Sequence, residues 1–237
     1  MLDFEDKTVL LTGASGGLPG AVAGLFADYG ASLMLVDPAQ APLTRLRPRL
    51  LRAAGVVFAK LDLRDPAQVD AAFQMGTDQL GGIDIVVTGT SLTLDGPAEG
   101  DDEATWRLGL RESVETMVLV NRAAARFLRP EGQVVNILPV AEQPGAVPHP
   151  SLAGARGYAR DFTIAQAREM ARRGFRVNGV APSPVPAKAD VPGGARGALA
   201  EGVAGAVLLL ASPLASHING VILPVDDGIG EGAHWRR

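Results

Sequence analysis

Runs of four to six apolar residues recur along this chain, separated by longer stretches of helical periodicity, and that alternation leaves few folds open. Strands buried on both faces read as unbroken apolar runs, and strands that alternate with helices pair in parallel, with the helices laid over the sheet. The runs place strands near residues 8–12, 32–36, 55–59, 83–88, 133–138, 176–180 and 220–224. Helices are predicted near 18–29, 41–53, 66–79, 102–128, 151–173 and 199–211. The expected fold class is therefore α/β, a doubly wound, seven-stranded, mainly parallel sheet with helices on both faces.

Composition narrows the function. A chain of 237 residues has room for one well-buried domain, and a single domain over 1–237 is expected. The net charge of −4 comes without any basic run, which argues against nucleic acid as a partner. The longest apolar runs, such as 206–211, fall far short of the ~20 residues that span a bilayer. MLDFEDK at the start is acidic and leads straight into a strand pattern, so no leader peptide is expected and the cytoplasm is the predicted compartment. Without cysteine there is no disulfide, thiolate nucleophile or zinc-thiolate site, and no metal is expected.

The first strand runs into TGASGGLPG at residues 12–20 and then into a helical stretch. Glycines at such a strand-to-helix turn let the backbone approach a pyrophosphate, which the free N–H groups and dipole of the helix N-terminus favour. A merely tight turn is the alternative reading of the glycines alone. Asp37 ends the second strand, twenty residues after Gly17, where a carboxylate accepts hydrogen bonds from the adenosine ribose and repels a 2′-phosphate. NAD is accordingly expected over NADP; the alternative is that Asp37, followed by Pro38, only caps the next helix.

With these residues in place, the chain resembles the short-chain dehydrogenase/reductase family, Rossmann-like in fold, over nearly its whole length. TGASGGLPG resembles the family's TGxxxGxG, and LDL at 61–63 its adenine-contacting Asp-Leu. IDIVV at 83–87, RGFRVNGVAPSPV at 173–185 and INGVILPVDDG at 218–228 resemble its fourth, sixth and last strands. The resemblance implies a cofactor site formed by Gly13, Ser15, Gly17, Leu18, Asp37, Asp62 and Leu63.

The departures are equally specific. The chain has two tyrosines, Tyr29 and Tyr158, and neither is followed four residues later by lysine. The family's serine corresponds to Pro139, its tyrosine to Leu152, its lysine to Arg156 and its asparagine to Ser113. Leucine and proline offer no side-chain proton, and a guanidinium keeps its proton throughout the physiological range. The nicotinamide half of the site departs too: TGTS at 88–91 replaces NNAG, Pro182-Ser183-Pro184 replaces Pro-Gly-Pro, and Ala187 stands at the expected threonine. Pro19 replaces the third glycine of the turn, removing an N–H and adding a ring beside the pyrophosphate, with Gly20 restoring room. The segment 185–198, rich in Ala, Gly and Pro, is expected to be a shortened substrate lid.

A family pattern without its acid, base or lid predicts no catalytic residue. It leads to the expectation of a non-catalytic subunit that assembles with an active paralogue of the same family in a hetero-oligomer. Hydroxyacyl-CoA oxidation or ketoacyl reduction are settings in which such a complex makes sense. The alternatives are an enzyme with altered, non-redox chemistry using Tyr158 or His149, and an NAD-sensing regulator. Asp101, Asp102 and Glu103 are read as ordinary acidic residues opening a helix.

Overall fold

A computed structural model describes residues 2–38, 46–89, 103–139, 150–182 and 200–226. Seven strands form one sheet: β1 (Thr8–Thr12), β2 (Ser32–Asp37), β3 (Gly55–Lys60), β4 (Ile83–Thr88), β5 (Leu128–Ile137), β6 (Arg176–Pro182) and β7 (Ile222–Val225). Their order is β3-β2-β1-β4-β5-β6-β7, and every pairing is parallel.

The helices are α1 (Gly17–Asp28), α2 (Pro66–Leu80), α3 (Glu103–Leu110), α4 (Thr116–Phe127), α5 (Pro150–Ala171) and α6 (Ala200–Ala211). Side chains alternate across the sheet, so each strand feeds two cores. Leu11, Leu33, Leu35 and Val87 meet α1 and α6 on one face, through Val22, Phe26, Val203 and Leu208. On the other face Leu10, Met34, Val36 and Val86 meet α2, α4 and α5, through Phe73, Val120, Ala124 and Met170.

Local signals explain several boundaries. Asp65 caps α2, its carboxylate accepting from the Ala67 N–H at 2.9 Å, with Pro66 in the first turn and Gly81 at φ +82° behind the last. The helix predicted over 41–53 is absent from residues 46–53, where the chain makes one 3₁₀ turn at Arg47–Arg49. Pro48 accounts for the difference, since it lacks an N–H and its ring clashes with the carbonyl four residues back in an α-helix. The helix predicted over 102–128 is interrupted by a π-helical turn, Arg111–Glu115, which separates α3 from α4.

One buried polar cluster ties the sheet to its helices. Asn136 on β5 accepts from Thr88 Oγ1 at 2.7 Å and Asn121 Nδ2 at 2.9 Å, and donates to Thr163 Oγ1 at 2.9 Å. Thr163 passes its own proton to the Ala159 carbonyl at 2.7 Å. Bonded this way, four buried polar side chains on β4, β5, α4 and α5 hold one register at little net cost, whereas leaving one partner unmatched would cost about 1–3 kcal/mol. Among the described residues, no helix is long and apolar enough to cross a membrane.

Candidate functional site

Ligands of open parallel sheets lie beyond the carboxyl ends of the strands where the winding reverses, and here the reversal falls between β1 and β4. The two strand ends are pinned together. Thr12 Oγ1 accepts the Gly89 N–H at 3.0 Å and lies 3.2 Å from the Gly89 carbonyl, to which it donates. Gly13 then turns the chain at φ +62°, a conformation that favours glycine, and the turn enters α1.

The first turn of α1 is short of donors. The N–H groups of Gly17 and Leu18 have no acceptor within the helix, Pro19 has no N–H, and that of Gly20 goes to the Gly16 carbonyl at 2.9 Å. Gly20 therefore does not replace the donor lost at 19. The Pro19 ring is buried against Gly89: a Cβ on Gly89 would sit 2.6 Å from Pro19 Cγ and 2.8 Å from the Thr12 carbonyl. The ring thus packs onto the end of β4. Leu18 packs partly against the core of the α1 face.

Asp37 closes the far side of the turn. It is 2% exposed at the end of β2, and its Oδ2 accepts both the Ser15 hydroxyl at 2.6 Å and the Ser15 N–H at 3.1 Å. The Leu61 N–H donates to the Asp37 carbonyl at 3.2 Å, which draws the segment after β3 alongside. There Arg64 grips Asp62 in a two-pronged ion pair, Nε to Oδ1 at 2.8 Å and Nη2 to Oδ2 at 2.7 Å. Leu63 turns its side chain into the core beside Val36 and Val69, so only its backbone is left to face a ligand.

The Arg64 side-chain hydrogen bonds, seconded by the Arg64 N–H, hold the Asp62 carboxyl down to about 2. A value below the ordinary 3.8 means that the pair stabilises the fold above about pH 4, and that this contribution fades as pH falls towards 2. Arg64→Gln is expected to raise the Asp62 midpoint part of the way towards 3.8 and to weaken this acid sensitivity, because the backbone N–H of residue 64 still donates to Asp62. A carboxyl-carbon NMR titration of both proteins reads the midpoint, and an unchanged value in the variant would exclude the arginine as its cause.

The four positions that lack the family's side chains lie on three parts of the fold. Ser113 lies in the π turn, Pro139 is buried just past β5, and Leu152 and Arg156 stand one turn apart on α5. Tyr158 is 48% exposed and stacks on Phe162 with ring centroids 6.0 Å apart. His149, residues 90 and 91, Ser183, Pro184, Ala187 and the segment 185–198 lie outside the described residues. The same is true of Asp101 and Asp102, while Glu103 opens α3 and pairs with Arg107 at 2.6 Å. Sequence reasoning missed the Pro19–Gly89 contact, the π turn and the Arg64 clamp. A glycine directly after β4, opposite a proline in the turn, was the one available signal.

The described residues fit the adenosine half of a dinucleotide: a glycine turn, two free N–H groups, a carboxylate at the end of β2 and a second carboxylate after β3. Among them no group of three or more His, Asp or Glu is placed to hold a metal ion.

A sequence model of the short chain dehydrogenase family matches residues 7–192. The chain is 29% identical to a 3-oxoacyl-[acyl-carrier-protein] reductase of Vibrio cholerae, over 96% of this chain and 99% of the relative. It is 31% identical to a galactitol 2-dehydrogenase of Cereibacter sphaeroides, over 95% of each. Its structure resembles that of a short-chain dehydrogenase/reductase from Brucella melitensis with a TM-score of 0.86 and 25% identity, over 97% of this chain and 99% of that one.

These findings overturn the expected non-catalytic subunit. Full-length relatives are named for oxidoreductase activities, and nothing among the comparisons supports a silent role. The expectation passed from missing side chains to missing activity, which presumes that a proton can travel only through positions 139 and 152.

Proposed function

The chain belongs to the short chain dehydrogenase family, and from that premise we propose that it is an oxidoreductase acting at a carbon that carries a hydroxyl or carbonyl group, with NAD rather than NADP as its dinucleotide. The observation that carries this reading is Asp37. Its carboxylate, fixed by two hydrogen bonds from Ser15, stands at the end of β2 where an adenosine ribose would offer its hydroxyls and a 2′-phosphate would be repelled.

The dinucleotide, when bound, supplies or accepts the hydride. Gly13, Ser15, Gly17 and Leu18 provide the turn and the free N–H groups that hold its pyrophosphate, Asp37 takes the ribose, and Asp62 with the Leu63 backbone borders the base. In the reducing direction a carbonyl gains a hydride and a proton to become an alcohol. Proline at 139 and leucine at 152 hold no exchangeable proton, so water delivers it at the substrate oxygen. The chain forms one domain and works in the cytoplasm alongside another subunit of this family. Exposed Trp106 on α3 and Tyr158 on α5, two helices in contact, support that assembly, and the native mass of the purified protein tests it.

The test of the function is calorimetric titration of the purified full chain with NAD and NADP, followed by NADH oxidation assays with ketones, ketoses and 3-oxoacyl thioesters. Binding of NAD at least tenfold tighter than NADP, with turnover of one carbonyl class, is expected. Absence of binding by either dinucleotide sinks the reading.

A further inference from the structure

The loop after β3 carries a carboxylate with most of its hydrogen-bonding capacity already used. A carboxylate has about four acceptor sites, two on each oxygen. Asp62 Oδ1 accepts the Arg64 N–H at 3.0 Å and Arg64 Nε at 2.8 Å, which fills it, and Oδ2 accepts Arg64 Nη2 at 2.7 Å. These are the donors that the described residues give it, so one acceptor site is left, on Oδ2, in a side chain 39% exposed.

The loop does not rely on that grip for its shape. Gln68 of α2 accepts the Asp62 N–H at 2.8 Å, the Asp65 N–H donates to the Asp62 carbonyl at 3.1 Å, and Leu63 is buried in the core. The backbone N–H of residue 64 holds Oδ1 whatever side chain it carries. What the guanidinium alone fixes is Oδ2, the atom with an acceptor site to spare.

The same grip balances charge. Asp62 follows Leu61, whose N–H meets the Asp37 carbonyl at 3.2 Å, so the pair stands beside the carboxylate that takes the ribose. A bare anion there would repel the diphosphate of a dinucleotide, whereas an anion paired with Arg64 does so far less and still offers one acceptor to a neutral N–H. Adenine presents an amino donor at position 6 of the purine, and a 6-oxo purine presents only an acceptor there. Two acceptors face to face leave a hydrogen bond unmade.

We propose that Arg64 is a positioning residue of the dinucleotide site, holding Asp62 Oδ2 as a single fixed acceptor and thereby setting how strictly the chain selects an amino-bearing base over a 6-oxo base. This rests on the dinucleotide reading above, in which Asp62 borders the base.

The test is calorimetric titration of the full chain with ADP and IDP, which carry the two bases on the same ribose and diphosphate. It uses the wild type, Arg64→Gln, Asp62→Asn and the double variant. The wild type is expected to bind ADP at least tenfold more tightly than IDP. In Arg64→Gln the ADP affinity should fall about three- to tenfold, the cost of immobilising a carboxylate that is no longer held, with IDP unchanged. In Asp62→Asn, whose amide donates as well as accepts, the preference should vanish, and adding Arg64→Gln should leave the ADP to IDP ratio where it is. Arg64→Lys keeps the charge but cannot span both oxygens; it should lose part of the preference, and it carries the comparison if the glutamine variant does not fold. A wild type without preference, or a ratio unchanged in Arg64→Gln, overturns the proposal. So do equal losses for both nucleotides, which would make Arg64 a phosphate-binding or purely structural group. Failure of NAD to bind the wild type would defeat the function proposed above, while the ADP and IDP titrations, which need no nicotinamide, would still judge Arg64.

Discussion

Asp37→Asn is expected to weaken NAD binding by roughly 10- to 100-fold and to erase the preference over NADP. The first part follows from hydrogen bonds between a charged group and the ribose hydroxyls, each contributing about 1.5–3 kcal/mol. The second follows from charge: an amide of the same size no longer repels a 2′-phosphate. Asp37→Ala adds a loss of stability, because Ser15 then points its N–H and hydroxyl at an apolar methyl in a site that is 2% exposed. An unmatched buried donor costs about 1–3 kcal/mol, and urea unfolding of the alanine variant measures it. Titration of Asp37→Asn with both dinucleotides decides the rest, and unchanged affinities would remove Asp37 from the ribose site.

The second large effect is purely steric. In Gly89→Ala the new methyl would meet Pro19 Cγ at 2.6 Å and the Thr12 carbonyl at 2.8 Å. Neither neighbour yields cheaply: the ring is locked in the first turn of α1, and the carbonyl belongs to the end of β1. Overpacking of this kind destabilises by about 3 kcal/mol. Pro19→Gly in the same chain should recover part of it, since it removes the ring and leaves the carbonyl. Urea midpoints for the two single variants and the double variant form the cycle, and an alanine variant as stable as the wild type would show that the two turns are not in contact.

Both predictions depend on residues whose meaning was only partly visible in the chain itself. Asp37 was legible because its place is set by short-range rules: a strand of known period ends there, a fixed distance beyond a glycine turn. The grip of Ser15 on Asp37 was not, since it joins residues 22 apart and depends on how deeply the turn settles under β2. Pro19 was legible as a missing donor. Where its ring went depended on Gly89, seventy residues away, which comes beside it only because β4 pairs with β1. The predicted helix over 41–53 did not carry into 46–53 because a favourable apolar spacing was weighed above a single proline.

Function shows the same division. The glycine turn, the acid after β2 and the strand motifs place the chain in its family, and the comparisons agree. The inference that failed was the one drawn from side chains that are missing. Leu152 and Pro139 rule out one route for a proton, and a list of absent groups says nothing of water or of the substrate's own acids and bases.

Taken alone, the sequence determined the α/β class, the run of strands, the glycine turn with its carboxylate, and the absence of a Tyr-x-x-x-Lys pair, because each of these rests on periodicity or on residues near one another in the chain. The tertiary structure decided the partnerships: the Pro19 ring on Gly89, the Arg64 clamp on Asp62, and the polar cluster around Asn136. The physical reason is range. Backbone preference and hydrophobic period act over a few residues, whereas desolvation, steric fit and hydrogen-bond satisfaction are settled between groups that meet only after the sheet has paired.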